Sequence, residues 1–147
     1  MKASSLPTIL VADDDEDDRT WVQEALSESP VPSQVHFVID GEELMDFLRH
    51  RGSYATPGGR SDPGLILLDL NMPRKDGREA LKEIRADTRL CHIPVVILTT
   101  SRAEEDVWLM YRSGANTVVH KPATLGSLIE IMRTLTHYWF ETAERPV

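Results

Sequence analysis

Leu65-Ile66-Leu67-Leu68-Asp69-Leu70-Asn71-Met72-Pro73 sets a carboxylate directly after four aliphatic residues. An unbroken apolar run of that length fits a strand covered on both faces, because a strand with one wet face alternates apolar and polar positions. An ionisable group at the end of such a run needs a partner or a task, since an unpaired buried charge is very costly. Runs of the same kind recur at 8–12, 35–39, 95–98 and 117–120. Between them lie segments of helical period. Their apolar stripes are Val22, Ala25 and Leu26 in 17–28, and Leu44, Met45, Phe47 and Leu48 in 41–51. Further on come Ala80, Leu81 and Ile84 in 77–87, Val107, Met110 and Tyr111 in 103–113, and a last helix from about 125 to beyond Trp139. Five alternations predict an α/β fold, a doubly wound five-stranded parallel sheet with helices on both faces, because βαβ crossovers are right-handed and cover the sheet. A chain of 147 residues suits a single domain, 1–147, with its core over about 7–140.

Sheets of this kind hold their ligands at the carboxyl ends of the strands, so the residues directly after each run carry the chemistry. After the first run stand Asp13, Asp14 and Asp15, after the third Asp69, after the fourth Thr99, Thr100 and Ser101, and after the fifth Lys121 and Pro122. Like charges about 4 Å apart repel by roughly 4 kcal/mol at an effective dielectric near 20. A divalent cation relieves that repulsion, and oxygen ligands with retained water suit magnesium better than zinc. A lysine and a threonine facing the carboxylates offer a cation and a hydroxyl to phosphoryl oxygens. A carboxylate can itself be the nucleophile, giving an aspartyl-phosphate. Glu16, Asp17 and Asp18 read instead as acids favoured at a helix N-terminus by the macrodipole.

A net charge of −8 and the lack of a long basic run argue against nucleic-acid binding. No apolar run approaches the roughly 20 residues needed to span a bilayer, and residues 1–8 do not read as a signal peptide, so the expectation is a cytoplasmic protein with no membrane contact. The lone Cys91, between Leu90 and His92, reads as a semi-buried small apolar residue. The five histidines, at 36, 50, 92, 120 and 137, show no metal-ligand spacing. Residues 50–64 read as a long surface loop and the tail after 141 as frayed.

At the strand ends the sequence resembles the receiver domain of bacterial two-component response regulators, the flavodoxin-like (βα)5 receiver fold. The matches are Ile9-Leu-Val-Ala-Asp-Asp14, Leu67-Leu-Asp-Leu-Asn-Met-Pro-Arg-Lys-Asp-Gly77, Val95-Val-Ile-Leu-Thr-Thr100 and Gly114-Ala-Asn-Thr-Val-Val-His-Lys-Pro122. The acids after Asp14, the long loop before Leu65 and the tail His137-Tyr-Trp-Phe-Glu-Thr142 are similar to single-domain regulators paired with cyanobacterial and bacterial phytochromes. The resemblance implies that Asp69 accepts a phosphoryl group from a sensor histidine kinase of phytochrome type. It implies that Asp14, Asp69 and the Asn71 carbonyl bind magnesium (Mg2+), with Asp13 acting through water. Lys121 would hold a phosphoryl oxygen and Thr99 would move to meet it. Thr100, Asn71 and Ser101 would border the phosphate, the last two along the path of attacking water. A cis Lys121–Pro122 peptide is expected, as is a turn into the third helix permitted by Gly77. Such a protein is a signalling switch rather than an enzyme. The chain departs from the pattern at Val118, where the family usually carries a signalling aromatic.

The last helix shows two apolar stripes. Leu125, Leu128, Ile129, Met132 and Leu135 suit the sheet, while Ile131, Tyr138 and Phe140, with Trp139 nearby, are too many for one face. With Trp108 and Tyr111 on the fourth helix and Val118 on the fifth strand, they predict a homodimer through the fourth helix, fifth strand and fifth helix. Three other readings compete. A haloacid dehalogenase-type phosphatase would use Asp13 and Asp15, but needs a later acidic pair for its metal, whereas here the extra carboxylate follows the third strand. A receiver-like module that takes no phosphate is left open by Val118. A flavodoxin-like cofactor binder would need a Gly- or Ser-rich loop after the first strand.

Overall fold

A computed structural model describes residues 6–55 and 62–144. Its strands are β1 (Thr8–Ala12), β2 (Gln34–Val38), β3 (Leu65–Asp69), β4 (Val95–Thr99) and β5 (Thr117–His120). They form one parallel sheet in the order β2-β1-β3-β4-β5. The helices are α1 (Glu16–Ser27), α2 (Gly41–Arg49), α3 (Gly77–Ala86), α4 (Glu104–Arg112) and α5 (Leu125–His137), the last running into a π-helical turn at Tyr138–Thr142.

Alternate residues of the three central strands feed two cores. Leu10, Ala12, Ile66, Leu68, Val95 and Ile97 pack with Leu44, Leu48, Leu81, Ile84 and Met110 from α2, α3 and α4. Ile9, Val11, Leu65, Leu67, Val96 and Leu98 pack with Val22, Leu26, Leu128, Met132 and Leu135 from α1 and α5. The unbroken apolar pattern therefore means burial on both faces in β1, β3 and β4. It does not in the edge strands: β2 alternates between exposed and partly covered up to Phe37 and buries only Val38, and β5 is only partly covered along its length. β2 also starts at Gln34 and stops before Ile39, which is exposed.

Four helices start on a side chain that accepts a backbone N–H. Asp15 caps α1, Asp40 caps α2, Asp76 forms a capping box with Glu79 on α3, and Thr124 caps α5. Helix α4 is preceded by Ala103, which offers no such cap. On α3, Arg85 reaches away from the site edge to the carbonyls of Gly114, Cys91 and Ile93 at 2.8, 3.1 and 2.8 Å and to Asn116 Oδ1 at 2.8 Å. It thereby fixes the segments that lead into β4 and β5, a role that nothing in its sequence context signals.

The structure corrects some expectations and refines others. No described peptide bond is cis, so Lys121–Pro122 is trans. Cys91 is exposed, because Leu90 and Ile93 fill the core positions of its turn and the thiol faces out toward the Thr88 carbonyl. The loop expected at 50–64 contains a 3-10 turn at Gly52–Tyr54, with the Tyr54 ring against Phe47, and 56–61 lie outside the described residues. The tail expected to fray after 141 keeps its π-helical turn to Thr142, with 145–147 outside the described residues. On α5 and its extension, Ile131, Trp139 and Phe140 pack against the α1–α5 core, so the second apolar stripe serves the monomer's own fold more than the pattern suggests.

Gly77 has a reason other than a turn conformation. A Cβ there would lie 2.3 Å from the Asp69 carbonyl oxygen and 2.9 Å from Leu70 Cα. The start of α3 thus rests directly on the end of β3, with Gly77 N–H donating to the Leu70 carbonyl at 2.9 Å. Gly41 makes an equally close approach to Lys75, so the loop after β3 is pinned at two points. Substituting Gly77→Ala should cost about 2–3 kcal/mol in urea unfolding, as overpacking against backbone does. A loss below about 0.5 kcal/mol would mean that the loop yields freely.

Candidate functional site

The strand register builds the site. Ala12 is paired with Leu68, so Asp13 follows β1 beside the end of β3. Asp69 is paired with Leu98 and Thr99 with His120, so the residues next in line are Thr99 on one side and Lys121 on the other. The backbone is tied where these side chains leave it. Asp13 N–H donates to the Val38 carbonyl at 3.0 Å, and Lys121 N–H to the Thr99 carbonyl at 2.8 Å. Asp13, Asp69 and Thr99 are buried and Asp14 is exposed.

Carboxylate oxygens of Asp13, Asp14 and Asp69 lie within 4.8 Å of one another. Lys121 Nζ lies 3.2 Å from Asp13 Oδ2, 3.6 Å from Asp69 Oδ2 and 2.7 Å from Asp18 Oδ2. Burial pushes the Asp69 carboxyl up to about 6, helped by the charges of Asp13 and Asp14 and opposed by Lys121 and the Asn71 backbone N–H. Burial likewise raises Asp13, against the Asp15 N–H, which donates to Asp13 Oδ1 at 2.9 Å, and against Lys121. These are carboxylates held where ionisation is costly. A hard divalent cation with oxygen ligands fits that cluster, because its charge offsets the repulsion that one ammonium only partly relieves.

The chain matches the response regulator receiver domain over residues 9–133. It is 39% identical to the response regulator Rcp1 of Synechocystis over 138 residues, covering 94% of this chain and 92% of that protein. The crystal structure of the phosphorylated cyanobacterial phytochrome response regulator RcpA is 43% identical, with a TM-score of 0.89, and the match covers 97% of this chain and all of that one. The Mn(2+)-bound form of Rcp1 is 38% identical, with a TM-score of 0.85 and coverage of 96% and 99%. This chain belongs to the response regulator receiver family.

In this receiver, Thr99 Oγ1 accepts the Ser101 N–H at 3.0 Å, and Ser101 Oγ donates to Asp106 Oδ2 on α4 at 2.6 Å. Asp106 in turn lies 3.6 Å from Arg78 on α3. Thr100 and Asn71 have exposed side chains, and the Thr100 carbonyl meets the His120 ring at 3.1 Å. Val118 is partly buried, and its N–H donates to the Tyr111 hydroxyl of α4 at 3.1 Å. Trp108 is 64% exposed, and Leu109, Tyr111 and Tyr138 are also exposed. Leu109 is absent from the sequence reading because it lies off the helical stripe that contains Met110.

Asp18 is the site residue that the sequence reading assigned elsewhere. An acid at the third position of a helix has a sufficient local explanation, and only the fold brings it to Lys121. The available signal is spacing: Asp18 follows Asp14 by four residues, one helical turn beyond the strand end.

The raised Asp69 fixes the sign of a pH effect. In the unfolded chain Asp69 loses its proton near its ordinary 3.8, and in the folded chain near 6. The folded state therefore binds more protons between those values, and stability falls as pH rises through that window. Without divalent metal, Asp69→Asn should raise the unfolding free energy at pH 7 by about 3 kcal/mol, at roughly 1.4 kcal/mol per tenfold change in proton affinity. The advantage should vanish near pH 4 and shrink when magnesium is added, as urea titrations of the two proteins can measure.

Proposed function

We propose that Asp69 is the phosphoacceptor of this receiver. The observation that carries the reading is the convergence of three carboxylates within 4.8 Å with the Lys121 ammonium 3.6 Å from Asp69. The phosphoryl group comes from a phosphohistidine of a sensor histidine kinase. The N–P bond breaks as an Asp69 oxygen bonds to phosphorus, and the imidazole keeps the electron pair and takes a proton. Asp14, Asp69 and the Asn71 carbonyl would hold magnesium, with Asp13 acting through water, and the ion would supply positive charge opposite the transferring oxygens. Lys121 binds a phosphoryl oxygen, and Thr99 gives up the Ser101 N–H to donate its own hydroxyl to another. Thr100, Asn71 and Ser101 border the group. The 43% identity to the cyanobacterial phytochrome response regulator RcpA supports a phytochrome-type kinase as the donor, and the proposed place of the pair is the cytoplasm.

With acetyl phosphate and magnesium, intact mass should show one phosphoryl adduct on the wild-type protein and none on Asp69→Asn. An adduct on both, or on neither, would overturn the assignment.

We further propose that the signal leaves through a homodimer built on α4, β5 and α5. Trp108, Leu109 and Tyr111 supply exposed apolar area on α4, and Tyr111 joins α4 to the backbone of β5 at Val118. Tyr138 extends the surface, while Ile131, Trp139 and Phe140 contribute only what their packing on the core leaves free. Light scattering at micromolar concentration should give the mass of two chains, and Trp108→Ala should lower it toward one. A single-chain mass for the wild type, phosphorylated or not, would exclude the dimer.

A further inference from the structure

Lys121 has three carboxylates within ion-pair distance, and the nearest is not one of the three that cluster for a cation. Asp18 Oδ2 stands 2.7 Å from Nζ, against 3.2 Å for Asp13 and 3.6 Å for Asp69. The lysine side chain is only 16% exposed, while that of Asp18 is 44% exposed. The contact therefore closes the solvent side of an otherwise enclosed ammonium.

Asp18 is held in place for this by its own helix. Its N–H donates to the capping carboxylate of Asp15 at 2.9 Å, and the next residue, Arg19, ties the helix to the Asp13 carbonyl at 2.9 Å. The neighbouring acids Glu16 and Asp17 are exposed and are not among the ion-pair partners of Lys121. Burial acts to lower the Lys121 pKa. The Asp18 hydrogen bond, followed by the charges of Asp13, Asp69 and Asp18, outweighs it and holds the ammonium above its ordinary value.

An ammonium has three donors. In this arrangement the shortest contact goes to Asp18 and the longest to Asp69. A phosphoryl group on Asp69 adds anionic oxygens beside Lys121, and charge-assisted bonds to them must be made by the same three donors. Asp18 and the phosphoryl group therefore draw on one ammonium. Resting on the reading of Asp69 as phosphoacceptor, we propose that Asp18 is a positioning residue that acts through Lys121. It holds the ammonium toward α1 in the unphosphorylated chain and competes for it with the phosphoryl oxygens afterwards. The carboxylate thus sets how readily the phosphorylated state forms and how long it lasts.

The full chain with acetyl phosphate and magnesium tests this by intact mass. Asp18→Asn should lower the half-saturating acetyl phosphate concentration and lengthen the phosphoryl lifetime, each about fivefold, the scale of a partly exposed ion pair. Asp17→Asn removes the same charge one residue away and should change either value less than twofold. In a Lys121→Met background, Asp18→Asn should have no further effect on the lifetime. Without metal or phosphodonor, urea unfolding should show Asp18→Asn and Lys121→Met to be non-additive, the double variant losing less than the two single losses together. Four outcomes overturn the proposal: no shift in Asp18→Asn, a shift in the opposite direction, an equal shift in Asp17→Asn, or an undiminished shift without Lys121. If the wild type takes no adduct, the Asp69 reading fails instead. The metal-free non-additivity still decides whether Asp18 acts on Lys121.

Discussion

Buried Asp13 and Asp69, exposed Asp14 and half-exposed Asp18 are drawn to one end of the sheet, and a single ammonium serves three of them. Nothing in the apolar core requires this crowding. It follows from parallel register, which sets Asp13 next to the end of β3 and Lys121 next to the end of β4. The side chains cannot easily withdraw, because Gly77 seats α3 directly on the Asp69 carbonyl and Asp13 is fastened to β2. The repulsion is therefore built into the fold rather than relaxed by it. That stored cost favours added positive charge at this end of the sheet.

The same edge is linked mechanically to α4. The Thr99 hydroxyl is engaged by the Ser101 N–H, and the Ser101 hydroxyl by Asp106 in the first turn of α4, which faces Arg78 on α3. Helix α4 has no capping side chain of its own, although Ser101 Oγ also accepts the Ala103 N–H at 3.3 Å. Its start is thus held through Ser101 rather than through a self-contained cap. Toward its other end, the Tyr111 hydroxyl meets the Val118 N–H. Val118 itself carries no ring, but an aromatic side chain from α4 contacts the same point of β5. A shift of Thr99 would reach α4 through hydrogen bonds that already exist, and α4 and β5 would move as a pair.

Most of the fold could be read because burial on both faces leaves an unmistakable trace. β1, β3 and β4 are written as continuous aliphatic runs, and the acids, threonine and lysine at their ends stand out against them. Legibility falls at the edges for the same reason. β2 alternates in exposure, so its limits slipped by one residue. The sequence around Gly77 suggests a turn, whereas its constraint is the backbone of another segment 2.3 Å from where a Cβ would sit. Arg85 left no trace, since a helix-surface arginine bonded to carbonyls looks like any solvated one.

Two residues have a partner that their local sequence does not show. Asp18 had a satisfactory local explanation in the helix dipole, and Ile131 had one as surplus apolar area. In both cases the decisive partner lies far away in sequence, Lys121 for the first and the α1–α5 core for the second. Local chemistry can say that a group is tolerated where it stands, but not whether the fold also uses it there. The packing of α5 on α1 accounts for Ile131, Trp139 and Phe140 within the monomer. Among the described residues, that leaves α4, with Trp108, Leu109 and Tyr111, as the helix that exposes the most large apolar side chains. It is also the helix whose start is held to Thr99 through Ser101. The helix joined to Thr99 through Ser101 is thus the one with the most exposed aromatic area, the arrangement a receiver needs if phosphate chemistry is to alter a surface.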